Sequence, residues 1–178
     1  MKLLKTDFKD LIIIKKKVFE DNRGFFKENF KVEMLNQFIG KKINFCQHNS
    51  VKSYINVLRG LHFQKEPYAQ SKLISISSGK ILDIAVDIRK NSKTYGKYFS
   101  YILESNNHEA IFVPKGFAHG YLTLSDEALV HYHVDNYYKP KMESGIHFND
   151  KYLNIDWGVK QSELIMSEKD KRQKPYQW

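Results

Sequence analysis

The segment NVLRGLHFQ, Asn56–Gln64, reads as a strand, yet it holds an arginine, a glycine and a histidine in its middle. A strand built only for packing alternates apolar and polar residues and leaves the polar ones to solvent. Other polar side chains sit in similarly apolar strand contexts: Arg23, Glu28, Gln47, Asn49, Arg59, His62, Lys72, His119 and Tyr132. Each type suits a role. A guanidinium grips phosphate oxygens in a bidentate way, so Arg23 and Arg59 suit a diphosphate. Histidine moves protons near neutral pH. A tyrosine offers a second proton position, and a lysine places positive charge beside a developing oxyanion. Taken together, this is the chemistry of proton removal next to a carbonyl on a phosphorylated substrate. Each residue also has an ordinary reading. Tyr132 alone is a core tyrosine, Arg59 a surface ion pair, and Lys72 a strand-start lysine with its head in water.

The elements that must position these residues are strands. KILDIAVDI, Lys80 to Ile88, alternates with Leu82, Ile84, Val86 and Ile88 on one face and Ile81, Asp83, Ala85 and Asp87 on the other. KLISIS, YFSYIL, AIFVP, HGYLTLS and ALVHYHV follow the same style, separated by turn-forming runs such as SSGK, KNSKTYGK and SDE. Many short strands at close spacing predict an all-β sandwich or barrel. In ALVHYHV, Val130, Tyr132 and Val134 share one face, and Lys72 falls in step with Ile74 and Ile76. A lysine on an apolar face is costly without a partner or a task. VEMLNQFIG, Val32 to Gly40, is the one clear helical signal, with Gly40 as its stop. The tail after Asp156 reads as irregular or shortly helical.

A chain of 178 residues, 42% of them hydrophobic and 14% aromatic, suits a single domain spanning residues 1–178 with a real core. The formal charge of +9 admits nucleic acid, an anionic surface or an anionic small molecule as a partner. The lysines come in short scattered clusters, and helix-turn-helix, zinc-finger and RNP patterns are missing, which argues against nucleic acid. No apolar run is long enough to span a bilayer, and LIII lies on the wrong side of its charges for a signal peptide, so the expectation is a cytoplasmic protein. The single Cys46 fits that compartment and reads as a small buried filler. PKGFAHG has the P-x-G-x-x-H spacing found in metal-binding cupins. The segment that should supply most ligands reads His62, Phe63, Gln64, so the ligand count falls short and no metal is expected.

DNRGFFKENF, FCQHNSVKS, VLRGLHFQ, the run Ala69 to Lys97, VPKGFAHGYLTLSD, YKPKMESGIHFND and SEKD stand in the order characteristic of one family. Over nearly its whole length the chain resembles the dTDP-4-dehydrorhamnose 3,5-epimerases. That resemblance implies a cupin-like jelly roll, or double-stranded β-helix, with a few short helices. It implies a cofactor-independent isomerase that inverts C3 and C5 of a nucleotide-linked 4-keto-6-deoxy sugar. His62 matches the general base, and Asp170 the acid paired with it. Lys72 matches the residue beside the C4 oxygen, and Tyr132 the general acid on the opposite face. His119 lines the same pocket. Arg59 matches a diphosphate ligand, and so does Arg23, which the family supplies from the neighbouring subunit of a homodimer that exchanges N-terminal strands. Gln47 and Asn49 match nucleotide contacts, Phe26 and Tyr138 aromatics around the base, and Glu28 a carboxylate that bonds thymine. Glu143 and Lys169 match further substrate contacts, with Lys169 standing where arginine is common. Other readings are an epimerase of another nucleotide sugar such as a GDP-4-keto-heptose, a metal-dependent cupin oxygenase or isomerase, and a catalytically silent binding module.

Overall fold

A computed structural model describes all 178 residues. In chain order the strands are β1 (Lys2–Lys5), β2 (Ile12–Lys15), β3 (Val18–Asp21), β4 (Gly24–Lys27), β5 (Gln47–Tyr54), β6 (Leu58–Gln64), β7 (Lys72–Ser78), β8 (Lys80–Asp87), β9 (Tyr98–Glu104), β10 (Glu109–Val113), β11 (Phe117–Thr123), β12 (Glu127–Val134) and β13 (Glu143–Gly145). Two α-helices accompany them, α1 (Val32–Ile39) and α2 (Glu168–Lys171). The strands form a six-stranded sheet in the order β1-β2-β10-β7-β12-β5 and a five-stranded sheet in the order β13-β6-β11-β8-β9. All pairings within the sheets are antiparallel, and consecutive strands such as β7 and β8 fall in different sheets, as a jelly roll requires. β3 and β4 stand apart as a two-stranded hairpin.

Period-two alternation sorts the side chains. Ile74 and Ile76 of β7, Ile81 and Ala85 of β8, Ile111 and Val113 of β10 and Val130 of β12 meet between the sheets. The opposite face of β8, with Leu82, Ile84 and Val86, packs under the C-terminal segment through Ile146, Phe148, Leu153 and Trp157. The helix α1 closes one end of the six-stranded sheet's outer face. Its Leu35, 2% exposed, lies against Ile12, Ile14, Leu73 and Phe112. Burying a leucine of that kind stabilises the fold by about 2 kcal/mol. Gly40 ends α1 at φ +67, a left-handed conformation that side chains with a Cβ rarely take.

The strands expected from alternation are present with ends shifted by one or two residues, and α1 stops one residue short of Gly40. β5 carries no strand signature in the sequence, because QHNSVKSY has polar residues on both faces. The tail forms α2 and irregular segments. Cys46 is only partly buried, with Sγ 3.6 Å from the Val134 carbonyl oxygen, so it is a rim residue of the sheet and not the buried filler expected. No helix is long and apolar enough to cross a membrane.

Candidate active site

Register builds the site. On the six-stranded sheet, Gln47, Val134, Lys72 and Val113 stand opposite one another in a row across β5, β12, β7 and β10. Asn49, Tyr132, Ile74 and Ile111 form the next row, and Val51, Val130 and Ile76 the one after. On the facing sheet, His62 of β6 stands opposite His119 of β11, and Arg59 opposite Tyr121, which is opposite Asp83 of β8. Directly opposed residues point to the same side of a sheet. Polar residues at inward positions of both sheets therefore converge on one space. That space is a cavity of about 410 Å³, in the range of small-molecule sites, lined by Gln47, Asn49, Arg59, His62, Lys72, His119, Tyr132, Tyr138, Glu143, Lys169 and Asp170 among others.

The register of β6 against β11 shifts between His119 and Tyr121, and Gly60 sits at that shift with φ +118. A Cβ on Gly60 would fall 2.6 Å from the Gly120 Cα and 2.8 Å from the His119 carbonyl oxygen. Gly60 thus permits a close backbone approach to the neighbouring strand. It lets β6 present both Arg59 and His62 to the cavity.

His62 and Asp170 form a pair, with Nε2 to Oδ1 at 2.6 Å and Asp170 only 4% exposed. A carboxylate only accepts, so Nε2 carries the proton and Nδ1 keeps the lone pair. Asp170 is placed by α2: Ser167 caps the helix, its hydroxyl accepting from the Asp170 amide at 3.1 Å. Burial pushes the Asp170 carboxyl up, but the hydrogen bond and charge of His62, with the Ser167 hydroxyl, outweigh it and hold the group below its usual range.

Lys72 donates from Nζ to the His62 carbonyl oxygen at 3.3 Å. Burial draws its ammonium down to about 8, and the carboxylates of Asp83 and Glu143 limit the fall. It is therefore not a strand-start lysine with its head in bulk water. Tyr132, on the opposite sheet from His62, is raised above the ordinary phenol by burial; the Arg59 charge acts the other way and Glu143 adds to the rise. Arg59 is oriented by Nε donating to Ser53 Oγ at 2.9 Å, and that hydroxyl lies 3.0 Å from the Tyr121 hydroxyl. Arg59 has no carboxylate partner, so its charge is free for an anion. Glu143 accepts from the Tyr138 hydroxyl at 2.5 Å and is also paired with the Lys169 ammonium. At the cavity end of β5, Gln47 donates to Asn49 Oδ1 at 3.0 Å and accepts from the Tyr138 amide.

Three of the residues expected around the nucleotide are elsewhere. Arg23 lies at the tip of the β3–β4 hairpin with its side chain 85% exposed, bonded to Asp21. Phe26 is 65% exposed on the same hairpin, and Glu28 just beyond it pairs with Lys31. None of them lines this cavity. One buried group was missed. Asp83, 0% exposed, lies behind His119 with Oδ2 2.8 Å from its Nε2. The signal was available, since Asp83 is a carboxylate at an inward step of an otherwise apolar strand. His62 and His119 each spend Nε2 on a carboxylate, and no group of three or more His, Cys, Asp or Glu side chains is arranged to hold a metal ion.

The sequence model of one family, dTDP-4-dehydrorhamnose 3,5-epimerase, matches residues 5–177. The Shigella flexneri protein of that name is 45% identical over 170 residues, which are 96% of this chain and 93% of that protein. The Escherichia coli K12 protein of the same name is 44% identical over 97% of this chain and 92% of its own length. Among solved structures, the dTDP-4-dehydrorhamnose 3,5-epimerase of Elizabethkingia anophelis superposes with a TM-score of 0.95 at 43% identity, covering 99% of this chain and 96% of that one. A dTDP-6-deoxy-D-glucose-3,5-epimerase of Legionella pneumophila, solved with dTDP-4-keto-L-rhamnose, gives 0.92 at 38% identity over 98% and 92% of the two chains. With a family match over almost its full length and relatives this similar, the chain belongs to the dTDP-4-dehydrorhamnose 3,5-epimerase family.

Proposed function

We propose that residues 1–178 act as one epimerase domain that inverts C3 and C5 of dTDP-4-dehydro-6-deoxyglucose to give dTDP-4-dehydrorhamnose. The observation that carries this reading is a carboxylate-paired histidine and a tyrosine on opposite walls of one cavity, with a lysine on the tyrosine's sheet reaching to the histidine's carbonyl oxygen. The C4 ketone acidifies the neighbouring C–H bonds. His62 Nδ1 takes the proton from C3 or C5, and the electron pair moves onto the C4 oxygen. Asp170 stabilises the imidazolium that results. The Lys72 ammonium stabilises the enolate oxygen. Tyr132 then returns a proton to the same carbon from the other face, which is what inverts the centre. Its raised proton affinity keeps the hydroxyl protonated, and the Arg59 charge stabilises the phenolate left behind. No redox step is needed.

Arg59 is the diphosphate ligand within the cavity, with Gln47, Asn49, His119, Tyr138, Glu143 and Lys169 as further contacts. Arg23, Phe26 and Glu28 serve the cavity of a second copy in a homodimer that exchanges N-terminal strands. This is supported by the hairpin's separation from both sheets and by the exposure of Phe19, Phe25 and Phe26 on it. A cytoplasmic location completes the proposal, in keeping with the single cysteine.

The test is proton exchange in D2O with the purified protein and dTDP-4-dehydro-6-deoxyglucose, read by NMR. Deuterium at both C3 and C5 is expected. Deuterium at one carbon would reduce the function to a single epimerisation. None at either carbon would overturn the substrate assignment, with a GDP-linked 4-keto-heptose the next to test.

A further inference from the structure

Asp83 is the most deeply buried charge near the cavity, yet it does not line it. Its strand, β8, is central in the five-stranded sheet, and its register partners are Tyr121 on one side and Tyr101 on the other. Oδ2 is bonded to His119 Nε2 at 2.8 Å. Oδ1 has no hydrogen-bond partner at all, although it is shielded from solvent. Tyr101 does not satisfy it, because its hydroxyl donates to Glu109 at 2.8 Å. Tyr121 does not either, because its hydroxyl is engaged with Ser53. A buried carboxylate oxygen left bare costs stability, and such a cost persists where function demands the charge.

The cation that Oδ1 can serve is Lys72. Nζ makes one hydrogen bond, to the His62 carbonyl oxygen, which leaves it two further donors. The charged and titratable groups that line the cavity with Lys72 are Arg59 and His62 of β6, His119 and Tyr121 of β11, Tyr132 of β12, Tyr138, Glu143 of β13, and Lys169 and Asp170 of α2, and Asp83 of β8 acts on it from behind that lining. Two of the carboxylates are already committed: Asp170 to His62, and Glu143 to Lys169 and Tyr138. Among the carboxylates acting on Lys72, only Asp83 has an unpartnered oxygen that is shielded from solvent.

We propose that Asp83 is a positioning residue of this site: one carboxylate oxygen fixes the His119 ring, and the unpartnered oxygen is the counter-charge that keeps the buried Lys72 ammonium protonated for the enolate. Asp83 touches no substrate and acts through His119 and Lys72. The direction of the electrostatics agrees, since Asp83 is the larger of the two carboxylate influences that hold the Lys72 proton against burial. The inference deepens the epimerase reading and rests on it for the enolate, but the charge relation between Asp83 and Lys72 is testable without turnover.

The experiment is Asp83→Asn. Asparagine keeps the shape and can still accept from His119, but it removes the charge. Lys72 is followed directly by NMR of 13C-methylated lysines over pH 6 to 11, assigned with Lys72→Met, and the alkaline limb of kcat/KM is measured in parallel. The expected result is a Lys72 titration moved down by about one pH unit or more, as loss of a near counter-charge does. The alkaline limb should move with it, while KM changes little. An unmoved titration and limb, with or without a fall in kcat, would overturn the proposal and leave Asp83 a structural group. If Asp83→Asn does not fold, Asp83→Ser, smaller and equally neutral, replaces it. A wild-type Lys72 that titrates near 10 would also overturn it, since no holding charge would then be needed. Failure of the wild-type protein to exchange protons in D2O would sink the epimerase function and leave this titration intact.

Discussion

Replacing Lys72 with methionine separates what the lysine does for the fold from what it does for the reaction. Its ammonium is drawn down to about 8 against an ordinary 10.5, a difference dominated by burial. At 1.36 kcal/mol per unit, the folded protein at neutral pH carries a cost of about 3 kcal/mol for keeping this cation. Methionine has nearly the same length, is uncharged, and suits the apolar neighbours Ile74 and Val134. Its loss of the hydrogen bond to the His62 carbonyl returns roughly 1 kcal/mol of the gain. Lys72→Met should therefore be more stable than the wild type at pH 7 by about 2 kcal/mol, or a rise in Tm of roughly 4–8 °C for a domain of this size. The sign with pH follows. The folded protein binds the Lys72 proton more weakly than the unfolded chain, so wild-type stability rises between the two values as that proton is lost. The advantage of Lys72→Met is full below pH 8 and fades as pH climbs through 8 toward 10.5. Urea unfolding at pH 7 and at pH 10 measures both arms. Activity should move the other way, with kcat for C3 and C5 exchange falling by about 10²–10³, the loss typical of an oxyanion-stabilising donor. A variant less stable than the wild type at pH 7, or equally offset at both pH values, would refute the burial argument. Full retention of kcat would refute the role at the enolate.

His62→Ala should abolish deuterium entry at both carbons, a loss of at least about 10² in rate, measured by NMR. Tyr132→Phe should still wash deuterium into the substrate, since the base and the enolate site remain, but the products should retain the starting configuration. Asp170→Asn should cost stability at pH 7, because the charge-assisted bond to His62 is lost. The Asp170 carboxyl is held low in the folded state, so the difference from wild type is full above the unfolded value near 4 and vanishes as pH falls through the folded one, as acid titration of the two proteins would show. Mixing Arg23→Ala with His62→Ala subunits should restore activity to about a quarter of the sites if hairpins are exchanged, because half of the dimers then hold one intact site of two. No recovery would place Arg23 outside the site.

The alternation of β7, β8 and β12 was readable because apolar residues recur at every second position, and it correctly sent Lys72 and Tyr132 inward. β5 was not readable as a strand. Its inward residues Gln47 and Asn49 line a polar cavity, and its outward ones face solvent, so neither face has an apolar signature. The motifs located His62 and Asp170, but their contact spans 108 positions and depends on the four-residue α2, too short to announce itself by periodicity. Asp83 lay in plain view as a misfit in β8. Its partner, His119, comes from a strand whose register no local pattern fixes.

The proposal that the site is shared between subunits rests on the hairpin. Arg23, Phe26 and Glu28 belong to the same motif and were expected at the nucleotide, yet they extend from the body with two phenylalanines more than half exposed. A protein gains little by exposing Phe25 and Phe26 to water unless another surface covers them. The cavity, for its part, offers Arg59 as its one cation without a carboxylate partner, apart from Lys72. A diphosphate bears more charge than one guanidinium meets, and the proposed exchange would let Arg23 of a second copy meet the remainder. The two deficits are complementary, which supports the proposed subunit exchange, and the mixed-subunit assay decides it.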